Sequence, residues 1–573
     1  MYPDHPPGSC SPLPFCGNAV VPALLLAAFL LTPYATAQTP GTCEPARADA
    51  YLDVNNVRAR IFGNGALFWR GSPHVYEVPK QDSVSALFAS GIWLGGLVNN
   101  ELRVAAARYI NYEFWPGPLD NQGTPPADCT RYDHLWEITR DDIASFNATG
   151  NASANLIQWP WHLGAPVLDG DGIPGNYNLD GGDRPALMGD QMLWWVMNDV
   201  GNLHLNTDTP PIGMEVHGSA FAFTRHSGAF IDHTTFYRYK LIYKGTEPLE
   251  AAWIGLFADN DMGYPWDDNV ASDTLLHLGY TYNADDEDEN YGTPPPAVGY
   301  TILKGPRADT DRRDNDRDGL IDEPGERLGM ETLACFWKGG GPHGEPITGQ
   351  EYYRCLRGLW KNGDPIQVGG DGTGSPSSFP GVTGQTTRFL FPGDPVTNSF
   401  WSMMNIDGAG TILTSFDTRF SMSSGPFTMQ PGDEEEFVFA IVWSRGTDHL
   451  DSVRQLKQDT RRIRGAAEAI LQPVPISATA PPPEPNHVLG FAQNFPNPFA
   501  ETTTIRYSLP KQALVRLSVY DVLGREVATL VEARQDKGIY AVDFDGRDVP
   551  MGVYFYRLQI DGLRFTRTMM VMR

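Results

Sequence analysis

"NFPNPFAETTTIRYSLP", from Asn494 to Pro510, places two asparagine-containing turns with prolines ahead of an alternating run of Thr, Ile, Arg, Tyr, Ser and Leu. Proline and asparagine break regular structure, and alternation is the period of a strand with one buried face. A fresh strand therefore starts about eighty residues before the last residue. Just upstream, "QPVPISATAPPPEPNHV" (Gln472–Val488) has a triple proline, no large aromatic and no period. Such a segment is an extended polyproline-type linker, here 472–490. Downstream, "LVRLSVYDV", "IYAVDFDG", "GVYFYRLQI" and "RFTRTMMVM" alternate between the turns "LGRE" and "DGRDVPMG". Residues 491–573 thus read as a separate, small Ig-like antiparallel sandwich.

The 573 residues exceed what one hydrophobic core usually organises. With 69 acidic and 43 basic side chains the formal charge is -26. That balance repels phosphate backbones and anionic lipid, so nucleic acid is excluded as a partner. Fifty-nine glycines, 47 prolines and short alternating apolar runs give a mainly β chain. The expected architecture is a large antiparallel β-sandwich-type passenger over 38–471 followed by the small C-terminal sandwich. The passenger is open to division into two sub-domains around an acidic loop at 309–326.

"AVVPALLLAAFLL" (Ala19–Leu31) is too short to span a bilayer comfortably, and "ATA" (Ala35–Ala37) sets small residues before Gln38. Residues 1–37 read as a signal peptide, although no Lys or Arg precedes the apolar run. No cysteine stands at the cleavage point, which gives no indication of a lipoprotein anchor, and no later segment is apolar enough to cross a membrane. Without Cys10 and Cys16, four cysteines remain: Cys43, Cys129, Cys335 and Cys355. In an exported protein these favour disulfides, and Cys335 with Cys355 closes a loop short enough for a local staple. Free buried thiols are the alternative.

Taken in order, "FPNPF", "VYDVLGREVATLV", "FDG", "GVYFYRL" and "TRTMMVMR" resemble the type A C-terminal sorting domain of the type IX secretion system, over Phe491–Arg573. The resemblance implies export to the periplasm, passage across the outer membrane through a dedicated translocon that reads the tail, removal of the tail and attachment of cargo to surface lipopolysaccharide. It places the protein outside the cell or on its surface. A terminal Ig-like module that merely packs on its neighbour is the plainer alternative. The passenger phrases "MGDQMLWWVMND", "YNADDEDENYGTPPPAVGY", "RGLWKNGDPIQVGG" and "RFLFPGDPV" are similar to uncharacterised exported proteins carrying the same tail. That likeness implies a shared fold and brings no activity with it.

Within the passenger, "GMEVHGSAFAFTR" (213–225), "TTFYRYKLIYKG" (234–245) and "EAAWIGLFADND" (250–261) alternate as neighbouring strands of one sheet would. "SMSSGPFTMQPGDEEEFVFAIVWSRG" (421–446) gives strand, Pro-Gly turn and strand, and a helix starts near Asp451.

The chemical signal that stands out is "DTDRRDNDRDGLIDEPGE" (Asp309–Glu326). Asp314, Asp316 and Asp318 alternate, Gly319 permits a turn, and Asp322 with Glu323 follows, so a short loop converges oxygens on a hard cation. Asp309, Asp311 and Glu326 are outlying candidates. The run resembles calcium loops of dockerin and thrombospondin type 3 repeats, and departs from an EF-hand because the twelfth position from Asp314 is Gly325. Calcium is the expected occupant, since clustered carboxylates repel one another without a cation. A solvated acidic turn is the alternative. Weaker sets are Asp169 and Asp171, with Asp180 and Asp183, and Asp259 and Asp261, with Asp267 and Asp268; turns bonded to their own backbone explain each equally well.

No HExxH, GxSxG, P-loop or GxGxxG before a helix is present. Glu215 and His217 lie on one face of an alternating strand and read as a solvent-facing stripe. Trp194 and Trp195 are expected in the core, while Trp159, Trp161 and Trp266 are open to either core packing or stacking on a glycan ligand. The expected function is a calcium-stabilised structural, adhesive or ligand-binding passenger. A secreted hydrolase acting on polysaccharide, using paired carboxylates, is the alternative.

Overall fold

The computed structural model describes residues 41–572 apart from several stretches, the longest being 225–229, 309–312, 314–320, 338–340, 376–378 and 475–489. The leader read at 1–37 and most of the 472–490 linker lie outside the described residues. Long strands follow in chain order as β1 (Ala89–Val98), β2 (Gln191–Asn198), β3 (Met214–Ala222), β4 (Thr234–Tyr243), β5 (Leu249–Asp259), β6 (Asp268–Asp273), β7 (Leu278–Asn283), β8 (Ala297–Lys304), β9 (Thr332–Trp337), β10 (Thr418–Met429) and β11 (Glu434–Ser444). They belong to two antiparallel nine-stranded sheets. The first sets β1, β5, β10 and β9 side by side, and the second runs β6-β7-β8-β11-β4-β3-β2.

Alternation assigns the faces. In β1, Ile92 and Leu94 enter the main core, while Trp93 enters a second core with Phe257, Phe336 and Tyr352 beneath helix α1 (Gly349–Leu356). Both faces of the first sheet are therefore buried, which is why β1 and β5 read as nearly unbroken apolar runs. The sheets meet through aromatics such as Tyr300 of β8 edge-on to Phe420 of β10 at 5.9 Å. At Gly279 of β7 a Cβ would stand 2.5 Å from Leu333 Cδ1 of the opposite sheet, so only glycine lets the layers come this close. Helix α2 (His449–Gly465) packs on β7, β8 and β11 and buries Val453, Leu456 and Ile463. Its N-cap Asp448 accepts a hydrogen bond from the Asp451 amide at 2.7 Å, in agreement with the expected start.

The expectation of one shared sheet is corrected. The runs at 213–225 and 234–245 are adjacent strands, but 250–261 lies in the other sheet, paired with β1 and β10. A strand buried on both faces carries no alternation that identifies its sheet. The strand, Pro431-Gly432 turn and strand expected over 421–446 are present as β10 and β11, which lie in opposite sheets and pair with other strands.

The C-terminal strands are β12 (Thr502–Leu509), β13 (Ala513–Tyr520), β14 (Glu526–Gln535), β15 (Gly538–Asp545), β16 (Gly552–Ile560) and β17 (Leu563–Val571). One sheet pairs β12 with β15 and Gly490–Phe491, and the other runs β14-β13-β16-β17. Ile505, Leu509, Val515, Leu517, Tyr556 and Leu558 belong to a core drawn only from this part of the chain. The opening asparagine turns are fastened to it. Asn494 is buried, donating its amide to the Tyr556 hydroxyl at 2.7 Å and Nδ2 to Thr503 Oγ1 at 2.9 Å. Asn497 Oδ1 accepts the Met570 amide at 2.8 Å.

The disulfide expectation is also corrected. Cys43 bonds to Cys129, and Cys335 and Cys355 are free and buried. The physical reason is the pleat: Cys335 points into the main core, whereas its neighbour Phe336 and Cys355 share the second core on the opposite face. Burial pushes both thiols up, Cys355 to about 12, which keeps them unreactive.

Beside Cys43–Cys129, Trp115 stacks on His204 at 5.7 Å. The His204 Nδ1 lies 2.8 Å from the Val104 carbonyl and Nε2 lies 2.7 Å from the Asp199 carbonyl. Each ring nitrogen thus faces a backbone carbonyl, which can only accept. Glu113 (3.5 Å) and Asp199 (3.7 Å) flank it, all three side chains fully buried. Burial pushes both carboxyls up, against the pull of His204 and of backbone amides. A polar group this deep stabilises only while its partners are complete.

Two measurements follow from this corner. Denatured, unreduced protein lacking residues 1–37 is expected to expose two reactive thiols, and replacing Cys43 and Cys129 by serine should cost about 4 kcal/mol of stability; four thiols in the parent would contradict the bond. His204→Leu, which removes the ring from between Glu113 and Asp199 and leaves the Val104 and Asp199 carbonyls without it, should lower the unfolding free energy by about 1–3 kcal/mol in a denaturant titration.

Candidate functional site

Most of the acidic loop at 309–326 falls outside the described residues: Asp309, Asp311, Asp314, Asp316, Asp318 and Glu323. Its base is defined. Arg307 and Arg327 form a bridge, and both guanidinium groups meet Glu435, at 2.7 and 3.1 Å. Asp322, in the left-handed region at φ 57°, donates its amide to Glu326 Oε2 at 3.0 Å. Glu326 is buried.

The glycine-rich loop at 169–183 rises from a neck in which Val167–Leu168 pairs with Arg184–Pro185. Asp169, Asp171 and Asp183 each place a carboxylate oxygen within 4.8 Å of the others. Loop groups engage them. Asp171 Oδ2 accepts from the Asn176 and Asn178 amides, at 3.1 and 3.2 Å, and Asp183 accepts the Gly170 and Asn178 backbone amides at 2.9 and 2.7 Å. The Asn176 bond, with the Ile173 amide, holds the Asp171 carboxyl below its usual range.

A second group forms where β5 ends. Asp259, Asp261 and Asp417 bring oxygens within 4.8 Å of one another. Asp417 carried no local signal: it belongs to the group because β5 and β10 pair with Asp259 opposite Arg419. Tyr109 donates its hydroxyl to Asp259 Oδ2 at 2.6 Å, and Arg419 Nε stands 3.3 Å from Asp259 Oδ1 and 3.1 Å from Glu345. The other arm of Arg419 bonds Asp417. Burial first, then the charge of Asp261, pushes the Asp259 carboxyl up. The sequence neighbours Asp267 and Asp268 stand outside this set. Burial raises Asp267 to about 6 and raises the wholly buried Asp268 well above its ordinary value.

A third group joins the exposed Asp286 and Asp448 with His449 at the start of α2, where His449 Nδ1 lies 2.5 Å from Asp286 Oδ1. Sequence reasoning missed it because Asp286 comes from a distant loop.

Glu215 and His217 are corrected from a solvent-facing stripe to a buried pair. His217 Nε2 lies 2.8 Å from Glu215 Oε1, and Glu215 Oε2 accepts the Leu119 amide at 2.7 Å. The segment from Leu119 to Gly164 lies over this face: a Cβ on Gly164 would stand 2.4 Å from the His217 ring. Alternation reports one apolar face and says nothing of a loop that covers the other. Trp194 and Trp195 are in the core, as expected, and Trp159 joins them. Trp161 and Trp266 are exposed, at 38% and 55%.

Comparison with known proteins identifies one region. The family model described as a secretion system C-terminal sorting domain matches residues 493–572. No curated protein sequence matches the chain. Among solved structures, a polysaccharide lyase aligns at 9% identity over 71% of this chain and 38% of its own, with a TM-score of 0.20. PorZ, a surface component of the type IX secretion system of Porphyromonas gingivalis, aligns at 12% identity over 69% of this chain and 44% of its own, with a TM-score of 0.11. The chain spans less than half the length of either structure, and likenesses at such scores carry no argument about the passenger. The two-sheet C-terminal core and the family match coincide, so the chain is a type IX secretion system sorting-domain protein, secreted to the cell surface or the extracellular space.

Proposed function

We propose that residues 38–471 are a calcium-stabilised surface module with a structural, adhesive or ligand-binding role, tethered through the proline-rich 472–490 to the sorting domain at 491–573. A signal peptide at 1–37 delivers it to the periplasm, and the type IX translocon then reads the tail. Attachment to surface lipopolysaccharide and contact with a glycan belong to the same reading.

One observation carries the calcium part: Asp169, Asp171 and Asp183 converge where a glycine-rich loop leaves its two-strand neck. Three carboxylates within 4.8 Å repel one another, and a cation accepting their oxygens removes that cost. Asp322 and Glu326, set together at the base of the 309–326 loop, extend the same chemistry. The hydrolase alternative is less well supported. Asp259, Asp268 and Asp417 are at most 2% exposed, and Glu215 with His217 lies beneath the Gly164 segment, so a polysaccharide has no approach to them.

Deleting 491–573 is expected to leave the passenger in the periplasm; normal surface delivery of the truncated chain would refute the role given to the tail. For calcium, binding at a hundredfold excess over Kd supplies about 2.7 kcal/mol. Chelation should therefore lower the passenger's melting temperature by about 5 °C. Asp171→Asn should remove part of that shift, and a melt indifferent to chelator would overturn the calcium reading.

A further inference from the structure

The chain that leaves Cys43 forms one wall of an open cleft of about 440 Å³, whose lining includes Glu44, Arg47, Arg70 and Tyr112. This is the size of a site for a small ligand. The wall at 44–47 has no regular secondary structure, yet it is held from three directions. Cys43 is tied to Cys129. Asp133 accepts the Arg47 and Ala48 amides at 2.8 and 2.9 Å. The Arg70 guanidinium, lying over the Phe62 ring at 5.3 Å, donates to the Ala46 and Arg47 carbonyls at 2.6 and 2.7 Å. A segment fastened in this way loses little freedom when a ligand arrives.

The side chains it presents are not used by the fold. Among the described residues, those of Glu44, Arg47 and Tyr112 make no hydrogen bond, ion pair or ring contact, and all three residues are exposed. Arg47 and Tyr112 take part through their backbones, the Tyr112 carbonyl accepting the Leu205 amide at 3.4 Å. The charge of the cleft also runs against that of the chain, whose formal charge is -26. Neither Arg47 nor Arg70 has an ion-pair partner among the described residues, and the carbonyls that Arg70 bonds leave its charge uncompensated. Of the neighbouring acids, Asp133 is engaged by backbone amides and Asp49 by Arg60 at 2.9 Å. Two guanidinium groups thus stand against the single carboxylate of Glu44. A guanidinium fork matches a carboxylate or a sulfate, a tyrosine ring gives an apolar surface with a polar tip, and a carboxylate accepts from hydroxyls.

We propose that this cleft binds an anion-bearing sugar, its carboxylate or sulfate on Arg47 with the charge of Arg70 in support, its ring against Tyr112 and its hydroxyls toward Glu44. The site rests on the ligand-binding side of the reading above and gives contact with a glycan a place and a chemical class.

The test uses the full chain and saturation-transfer NMR with methyl glucuronide, glucose 6-sulfate and methyl glucoside, and inorganic sulfate as competitor. An anionic sugar should bind about tenfold more tightly than the glucoside, which lacks the charge, and whichever of the glucuronide and the sulfate is tighter identifies the anion. Arg47→Ala should weaken that binding by about tenfold while leaving the melting temperature unchanged, because the side chain holds nothing in the fold. Tyr112→Ala should weaken it as well. Equal binding of the glucoside, or displacement by inorganic sulfate at the same concentration as the sugar, would overturn the proposal. Binding that survives both substitutions places the sugar elsewhere, so that this site fails and the ligand-binding reading stands. If no probe binds the parent, the site fails, and retention of the full chain on immobilised polysaccharide decides whether the ligand-binding reading survives it.

Discussion

The passenger is governed by a chain that crosses repeatedly between two sheets, both largely buried. β4 passes to β5, β5 to β6 and β10 to β11 across the sandwich, and each passage must carry backbone and polar side chains past the end of a dry core. The two shorter crossings lie near the surface and are closed by single hydrogen bonds. Tyr243 closes the first by donating its hydroxyl to the Glu247 carbonyl at 2.6 Å, and Asp433 closes the third by accepting the Gln430 amide at 2.7 Å. The second crossing encloses acids instead, and its electrostatics differ from the others for that reason.

The same enclosure explains what the sequence made legible. In β4, Arg238 and Lys240 face outward while Tyr237 and Tyr239 face the core, so the two media print a period of two on the chain. In β5 both faces are buried, the period fades, and the strand's sheet cannot be assigned from it. Asp417 is invisible to any local pattern, because only the pairing of β5 with β10 sets it beside Asp259. The Cys43–Cys129 bond was hidden for the same reason: the chain ends of an 86-residue separation meet through the fold, whereas the shorter Cys335–Cys355 interval is divided by the thickness of a sheet. Motifs that act locally were readable, as the turn at Asn494 and the helix start near Asp451 show.

The C-terminal domain obeys a different economy. Its core is supplied by its own strands, and Asn494, Asn497 and Phe499 lock the entering chain onto the final strands; the Phe499 amide bonds the Met570 carbonyl at 3.0 Å and its carbonyl accepts the Met572 amide at 2.8 Å. The entering chain and the final strands are thus fastened to each other within this one core. That property suits a sorting domain, since a recognition surface carried by many cargoes must not depend on any one of them.

Charge separates the two parts further. Residues 493–573 hold eleven basic and nine acidic side chains, so the whole acidic excess of the chain lies upstream. Inside the passenger the arginines are already committed: Arg419 to Asp259, Asp417 and Glu345, Arg307 and Arg327 to Glu435, Arg238 to Glu436. Burial makes the remaining acids costly, as the raised carboxyls of Asp267 and Asp268 record, and no surface arginine can enter a dry crossover without paying its own desolvation. The acidic excess upstream of residue 493 is therefore met in part by arginines such as Arg419 and Arg307 and in part by backbone amides that bond buried carboxylates such as Asp268.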